Sequence, residues 1–284
     1  MTPPPPHLGA SDYFGGGSGG GMAWGTPEPV ALPATGANSI HVRGAHVSFD
    51  AGGGRSGPLF DNLEAEFSAG MFTCILGSSG VGKSSLLRLI AGLPPRRGTA
   101  SGVVTDGDGQ SLTGRIVYMD QRDLLLPWMT VLDNVLLGAR LRGEPRQRGR
   151  ALGLLQAVGL SGWEDARPEV LSGGMRQRAA LARTLMEDRP FVLMDEPFQA
   201  VDAITRLVLQ DLSARLLAGR TVVLVTHDPI EALRLGHHVQ VLAGSPARLD
   251  PPVAPPGVPP RDPADPALVG LYRVLIARLQ QAAK

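Results

Sequence analysis

The segment Gly77-Ser78-Ser79-Gly80-Val81-Gly82-Lys83-Ser84 constrains the fold more than any other part of the chain. It matches the pattern G-x-x-x-x-G-K-[ST]. It follows a short apolar run, Phe72–Leu76, and precedes an apolar-periodic stretch, Lys83–Ala91, that Gly92 and Pro94 bring to an end. A strand, a glycine loop and a helix in that order make a phosphate-binding turn. The glycines let backbone N–H groups turn inward, and the helix adds its positive end. The Lys83 ammonium can reach between β- and γ-phosphates, and the Ser84 hydroxyl can ligate Mg²⁺. Lysine is so rare here that about 0.004 chance matches are expected over the chain, so the match is not compositional. The local alternative is a glycine-rich turn that merely caps a helix.

The rarity of lysine is informative in itself. Of 27 basic residues only two are lysines, Lys83 and the terminal Lys284. Arginine replaces lysine at solvated sites with little consequence. A wide planar guanidinium does not replace a compact ammonium between phosphates. The one internal lysine therefore falls where the chemistry demands it.

A second apolar run, Phe191-Val192-Leu193-Met194, ends in Asp195-Glu196. An aspartate at the end of a strand beside a phosphate loop holds Mg²⁺. The glutamate after it is placed to polarise an attacking water. Read alone, the pair is also compatible with a solvated turn, because Pro197 ends strand pairing. Leu171-Ser172-Gly173-Gly174-Met175-Arg176-Gln177-Arg178 is a second glycine loop opening a second helix, hence a second anion site. One nucleotide cannot easily occupy both loops of one chain. A head-to-tail dimer resolves this, each loop closing on phosphates held by the other copy. The local alternative makes Ser172 an N-cap with arginines on a solvated face.

The remaining pattern alternates strands and helices. Strands are expected at 39–49, 63–67, 72–76, 191–194, 222–226 and 238–242. Helices are expected at 83–91, 130–142, 146–158, 175–186, 204–217 and 229–235. This argues for an α/β core over 39–244, with a helical insertion at about 122–171. Residues 1–38 are Pro/Gly-rich and read as a disordered tail. Residues 245–284 read as a second Pro-rich tail, in which Leu268–Leu279 forms a short helix able to dock back.

Net charge is +1, which excludes a strongly basic nucleic-acid binder. Apolar runs are too short to span a bilayer. A single cysteine, Cys74, excludes an internal disulfide framework, and no lysine or arginine precedes Arg43, so no secretory n-region is expected. A soluble cytosolic protein follows as the expectation.

Over about residues 40–243 the chain resembles the ABC-type ATPases, with five motifs in that family's order. They are the phosphate loop 77–84, Gln121 in VYMDQRDLLLPW, LSGGMRQR at 171–178, FVLMDE at 191–196 and His227 in LVTHD. The resemblance implies a P-loop NTPase core with an antiparallel β subdomain and an inserted α-helical subdomain, acting on ATP with Mg²⁺. It implies that Phe49 stacks on adenine and that Gly77, Ser78, Ser79, Gly80, Val81, Gly82, Lys83, Ser84 and Ser85 bind the phosphates. Ser172, Gly173, Gly174 and Asp202 would act across the dimer. Ser84, Gln121 and Asp195 would hold the metal, and Glu196, His227, Lys83 and Gln121 would carry the chemistry. The segment Gln199-Ala200-Val201-Asp202 departs from the family's common Ser-Ala-Leu-Asp, Phe49 replaces the usual Tyr, and Ser85 replaces Thr.

Two function classes share this signature: transporter engines and ATPases of DNA repair or chromosome maintenance. The latter carry long coiled-coil or zinc-bearing insertions. Gln121 and Ser172 are only 51 positions apart, with no heptads and no Cys-x-x-Cys, which favours the transporter. With no spanning segment expected in the chain, a separate permease and, for an importer, a solute-binding protein are the implied partners. The ATPase would be peripheral on the cytoplasmic face of the inner membrane and would bind no nucleic acid. Leu124, Leu125, Leu126 and Trp128 would either line the permease groove or belong to the subdomain core. His237 and His238 read as structural. The wording LLLPWMTVLDNV resembles importers of nitrate, sulfonates and taurine. Longer strings such as DLLLPW and VTHDPIEALRLGHH resemble importers of hydroxymethylpyrimidine-type thiamine precursors, the favoured expectation, with the nitrate/sulfonate/taurine type as alternative.

Overall fold

The computed structural model describes residues 38–49, 57–95 and 98–282. The expectations for the N-terminal tail, apart from Asn38, and for most of the glycine turn at 52–57 lie outside these residues. The apolar runs fold as central strands. Strands β3 (Phe72–Leu76), β6 (Phe191–Asp195) and β7 (Thr221–Val225) are buried at every position. With β5 (Ile116–Met119), β8 (His238–Gly244) and β9 (Ala247–Leu249) they form one sheet in the order β5-β6-β7-β3-β8-β9. All pairs are parallel except β8 with β9. Parallel strands covered on both faces carry continuous apolar runs, which is why β3, β6 and β7 read so clearly, whereas β5 and β9, at the two edges of the sheet, are not among the expected strands.

Alternation of side chains divides the core in two. Cys74, Leu76, Val192, Met194, Val222 and Leu224 face one cluster. That cluster is completed by helices α2 (Val131–Val135), α4 (Arg148–Ala157), α5 (Gly173–Met186), α6 (Ala203–Leu216), α7 (Pro229–Leu235) and α8 (Pro266–Ala282). Ile75, Phe191, Leu193, Val223 and Val225 face the opposite cluster, shared with α1 (Lys83–Ile90) and a separate antiparallel sheet. That second sheet has the order β2-β1-β4, with β1 at Ile40–Ser48, β2 at Phe60–Phe67 and β4 at Thr99–Asp106. Strand β4 is not legible in the sequence. It is an edge strand, largely exposed, and Gly102 interrupts it at φ +129° where a Cβ would strike the Ala45 backbone at 2.8 Å.

The helix expected at 130–142 divides in two. Thr130 caps a helix as expected, its hydroxyl accepting the Asp133 N–H at 3.0 Å. That helix stops at Val135, and a separate α3 (Leu137–Leu141) follows. In α3, Gly138 lies against Glu187, whose carboxylate also pairs with Arg142 at 2.8 Å.

The C-terminal segment is not a loose tail. Arg261 donates to the carbonyls of Pro255, Pro256 and Gly257 in the Pro-rich stretch, and to those of Leu233 and Gly236 at the end of α7, at 2.6–2.9 Å. Prolines lack N–H groups but keep their carbonyls, and a guanidinium presents five donors to fill them. Helix α8 then buries Leu268 and Leu275 against the core, and is longer than its apolar pattern suggests.

Candidate nucleotide site

The loop after β3 takes its shape from two glycines that adopt left-handed backbone: Gly80 at φ +78° and Gly82 at φ +115°. Gly82 is also the N-cap of α1, and a Cβ there would press on Leu59 at 2.9 Å. At Gly77 a Cβ would meet the Leu242 carbonyl at 2.7 Å, so the loop must leave the sheet without a side chain. Lys83 is buried, and its ammonium donates back to the Gly77 and Ser78 carbonyls at 2.8 and 3.1 Å. Burial pulls its pKa down, while Glu196 and Asp195 nearby push it up. Two weak neutral acceptors hold this cation; phosphate oxygens would be stronger ones.

Asp195 ends β6 and is 3% exposed. Burial raises its pKa, opposed by a hydrogen bond from the Ser84 hydroxyl, and the neighbouring charges of Glu196 and Asp120 raise it further. The Tyr118 phenol donates to its Oδ2 at 3.5 Å. Ser84, Asp195, Gln121 and Tyr118 line one cleft of about 280 Å³, whose apolar wall includes Val47 and Phe49. A buried carboxylate, a hydroxyl and an amide are hard oxygen donors that suit Mg²⁺. Among the described residues no three His, Cys, Asp or Glu side chains gather as a metal site. Mg²⁺ ordinarily needs only one or two carboxylates when substrate phosphates complete its shell.

Glu196 follows at φ +48°, a left-handed conformation that is strained for a non-glycine residue. Its backbone N–H donates to the Val225 carbonyl of β7 at 2.9 Å, and its Oε2 lies 3.0 Å from His227 Nδ1. The side chain of Glu196 is 13% exposed and that of His227 57%, so the pair sits at the mouth of the sheet's C-terminal edge. Open α/β sheets bind ligands at that edge.

Gln121 lies just past β5, and its amide nitrogen donates to Gln199 Oε1 at 3.1 Å. Beyond it, α5 grips the next segment. Arg176 pairs with Asp123 at 3.1 Å, and Arg183 donates to the Asp123 and Leu124 carbonyls at 2.6 and 2.9 Å. Leu124 is held at φ +47°, and it and Trp128 are exposed, whereas Leu125 is buried. Of the four apolar residues that could line a partner groove or join the core, Leu124 and Trp128 are exposed, Leu126 is half-buried and Leu125 belongs to the core.

Ser172 is the N-cap of α5, its hydroxyl accepting the Met175 N–H at 3.2 Å, and Ser172 and Gly173 are exposed. Gly174 faces the Ala200 carbonyl, 3.0 Å from where a Cβ would stand. Asp202 caps α6 through the Thr205 N–H at 3.0 Å, which lowers its pKa. Ser172, Gly173 and Asp202 are therefore presented outward at helix starts. His237 accepts the Phe72 N–H at 3.1 Å, a structural contact. Sequence reasoning missed Tyr118 and Asp120 as neighbours of Asp195, although both stand in the string that contains Gln121.

A family model described as ABC transporter matches residues 60–199. The chain is 49% identical over 190 residues to an aliphatic sulfonates import ATP-binding protein of Rhodococcus jostii, covering 66% of this chain and 74% of that protein. It is 40% identical over 226 residues to a protein of the same description from Pseudomonas syringae, covering 79% and 91%. Among solved structures it resembles the ATP-binding cassette MJ0796 in a dimeric post-hydrolysis state bound to ADP and Pi. The TM-score is 0.65 at 28% identity, over 77% of this chain and all of that one.

Proposed function

The chain belongs to the ABC transporter ATP-binding family, and on that footing we propose that it powers a solute importer of the nitrate/sulfonate/taurine type, with an organosulfonate as the transported class. The observation that carries this reading is the 49% identity to a sulfonate-import ATPase, maintained at 40% over nearly the whole of a second one. The relatives favour this alternative over a thiamine precursor. Among the described residues no helix is long and apolar enough to cross a membrane. A separate permease would provide the channel and hold this subunit at the cytoplasmic face of the inner membrane, with a solute-binding protein delivering substrate outside.

In the proposed site the loop Gly77–Ser85 cradles the ATP phosphates. Lys83 leaves the Gly77 and Ser78 carbonyls for the β- and γ-phosphate oxygens. Ser84, Asp195 and Gln121 would hold Mg²⁺, which when bound supplies positive charge against those oxygens. Phe49, on the apolar wall of the cleft, offers a π face to adenine. Glu196 accepts a proton from the attacking water, and His227, bonded to Glu196 through Nδ1, keeps Nε2 available for the γ-phosphate. Ser172, Gly173, Gly174 and Asp202 complete the site on a second copy in a head-to-tail dimer, which accounts for the outward placement of Ser172, Gly173 and Asp202.

The test of the substrate class is growth. In the native host, deleting the gene should abolish use of aliphatic sulfonates as sole sulfur source, and a wild-type copy should restore it. Intact growth on sulfonates, with a new requirement for thiamine pyrimidine, would instead support the thiamine-precursor reading.

A further inference from the structure

We infer that Gln199 is a positioning residue for Gln121, fixing its amide with the oxygen free for Mg²⁺; the inference rests on the proposed reading of the site. A glutamine amide binds a cation only through its oxygen, while its nitrogen only donates. In this structure Gln121 Nε2 is occupied by Gln199 Oε1 at 3.1 Å across 78 residues of sequence. In this orientation Gln121 Oε1 is left for the cleft that Gln121 lines with Ser84 and Asp195, and a carboxylate at position 199, which can only accept, would enforce it.

Gln199 can do this because its backbone is fixed. It follows Pro197 and Phe198, both buried, and Phe198 is 1% exposed. Its own N–H donates to the Glu196 carbonyl at 3.4 Å, and Gln177 of α5 donates to the Pro197 carbonyl at 3.2 Å. The turn that begins at Glu196 therefore carries the acceptor for Gln121. The next residue, Ala200, lies against Gly174 of the second glycine loop. Serine, the common residue at position 199 in the pattern this chain resembles, is too short to supply that acceptor.

The experiment is a Mg²⁺ titration of the full-length chain, read both as ATP hydrolysis and as equilibrium binding of a fluorescent ATP analogue, for wild type and for variants at positions 199, 121 and 195. Gln199→Met keeps length but has no acceptor, and Gln199→Glu keeps a carboxyl oxygen. The expected result is a rise of roughly threefold to tenfold in half-saturating Mg²⁺ for Gln199→Met, the size of one lost hydrogen bond. The KM for ATP at saturating Mg²⁺ should not change. Gln199→Glu should need no more Mg²⁺ than wild type, and Gln199→Met should add nothing in a Gln121→Ala background. A wild-type Mg²⁺ curve for Gln199→Met overturns the inference, as does an added effect in the Gln121→Ala background. Asp195→Asn separates the two levels: if it leaves Mg²⁺ dependence intact, the site reading itself fails and takes the inference with it.

Discussion

His227 Nδ1 lies 3.0 Å from Glu196 Oε2, joining the residue after β6 to one just beyond β7. The contact unites two sequence motifs 31 residues apart at one edge of the sheet. Glu196 is held there in left-handed backbone, and strain of this kind at a sheet's C-terminal edge recurs at functional sites. If His227 orients the carboxylate and meets the γ-phosphate, His227→Ala should lower kcat by about 10²- to 10⁴-fold. ATP affinity should stay within about threefold, because the phosphate loop is untouched. Steady-state hydrolysis and equilibrium nucleotide binding together check this.

Lys83 gives a sharper test of the phosphate loop than removal of its charge. Lys83→Arg keeps the charge, in a chain that otherwise favours arginine. A guanidinium is too broad for the carbonyl pair that the ammonium occupies at 2.8 and 3.1 Å. The variant should lose tight ATP binding nearly as completely as Lys83→Ala, measured by fluorescent nucleotide titration.

Glu231 makes stability depend on pH. It is buried in α7, hydrogen-bonded by Gln210 at 3.1 Å. Burial pushes its pKa up to about 7, and Asp228 adds to this, against the pull of Thr226, Gln210 and Arg206. The folded state therefore binds this proton more tightly than the unfolded chain. Its contribution is fully present at low pH and is lost as pH rises from about 5 to about 7. Glu231→Gln cannot ionise. Its melting temperature should gain on wild type as pH is raised from about 5 to about 8, a trend that thermal unfolding across buffers reads directly.

Arg261 should matter as much as a core residue. Arg261→Ala leaves five carbonyls without their donor, and the chain should lose about 2–4 kcal/mol. Arg261→Lys, with three donors in place of five, should recover only part. Urea unfolding of the three proteins checks the order.

These residues also mark where sequence reasoning stops. Phe72–Leu76 and Phe191–Met194 were legible because strands buried on both faces are dominated by apolar residues. Thr99–Asp106 was not, because an exposed edge strand needs little apolar surface and is held by backbone pairing to β1. The C-terminal segment looked like a tail because much of its order comes from Arg261, whose acceptors are backbone carbonyls that no composition reveals. The site divides the same way. Lys83, Ser84, Asp195, Glu196 and His227 sit in local strings whose spacing is visible. The contacts of Tyr118 with Asp195 and of Gln121 with Gln199 join residues 77 and 78 positions apart with no periodicity to announce them.

The most direct test of the account is the oligomeric state of Glu196→Gln with and without ATP, measured by sedimentation. If Glu196 is the base and two copies share their sites head to tail, this variant should bind ATP without turning it over and sediment as a dimer only when ATP is present. A Glu196→Gln protein that hydrolyses ATP at the wild-type rate, or that stays monomeric with ATP bound, would contradict it.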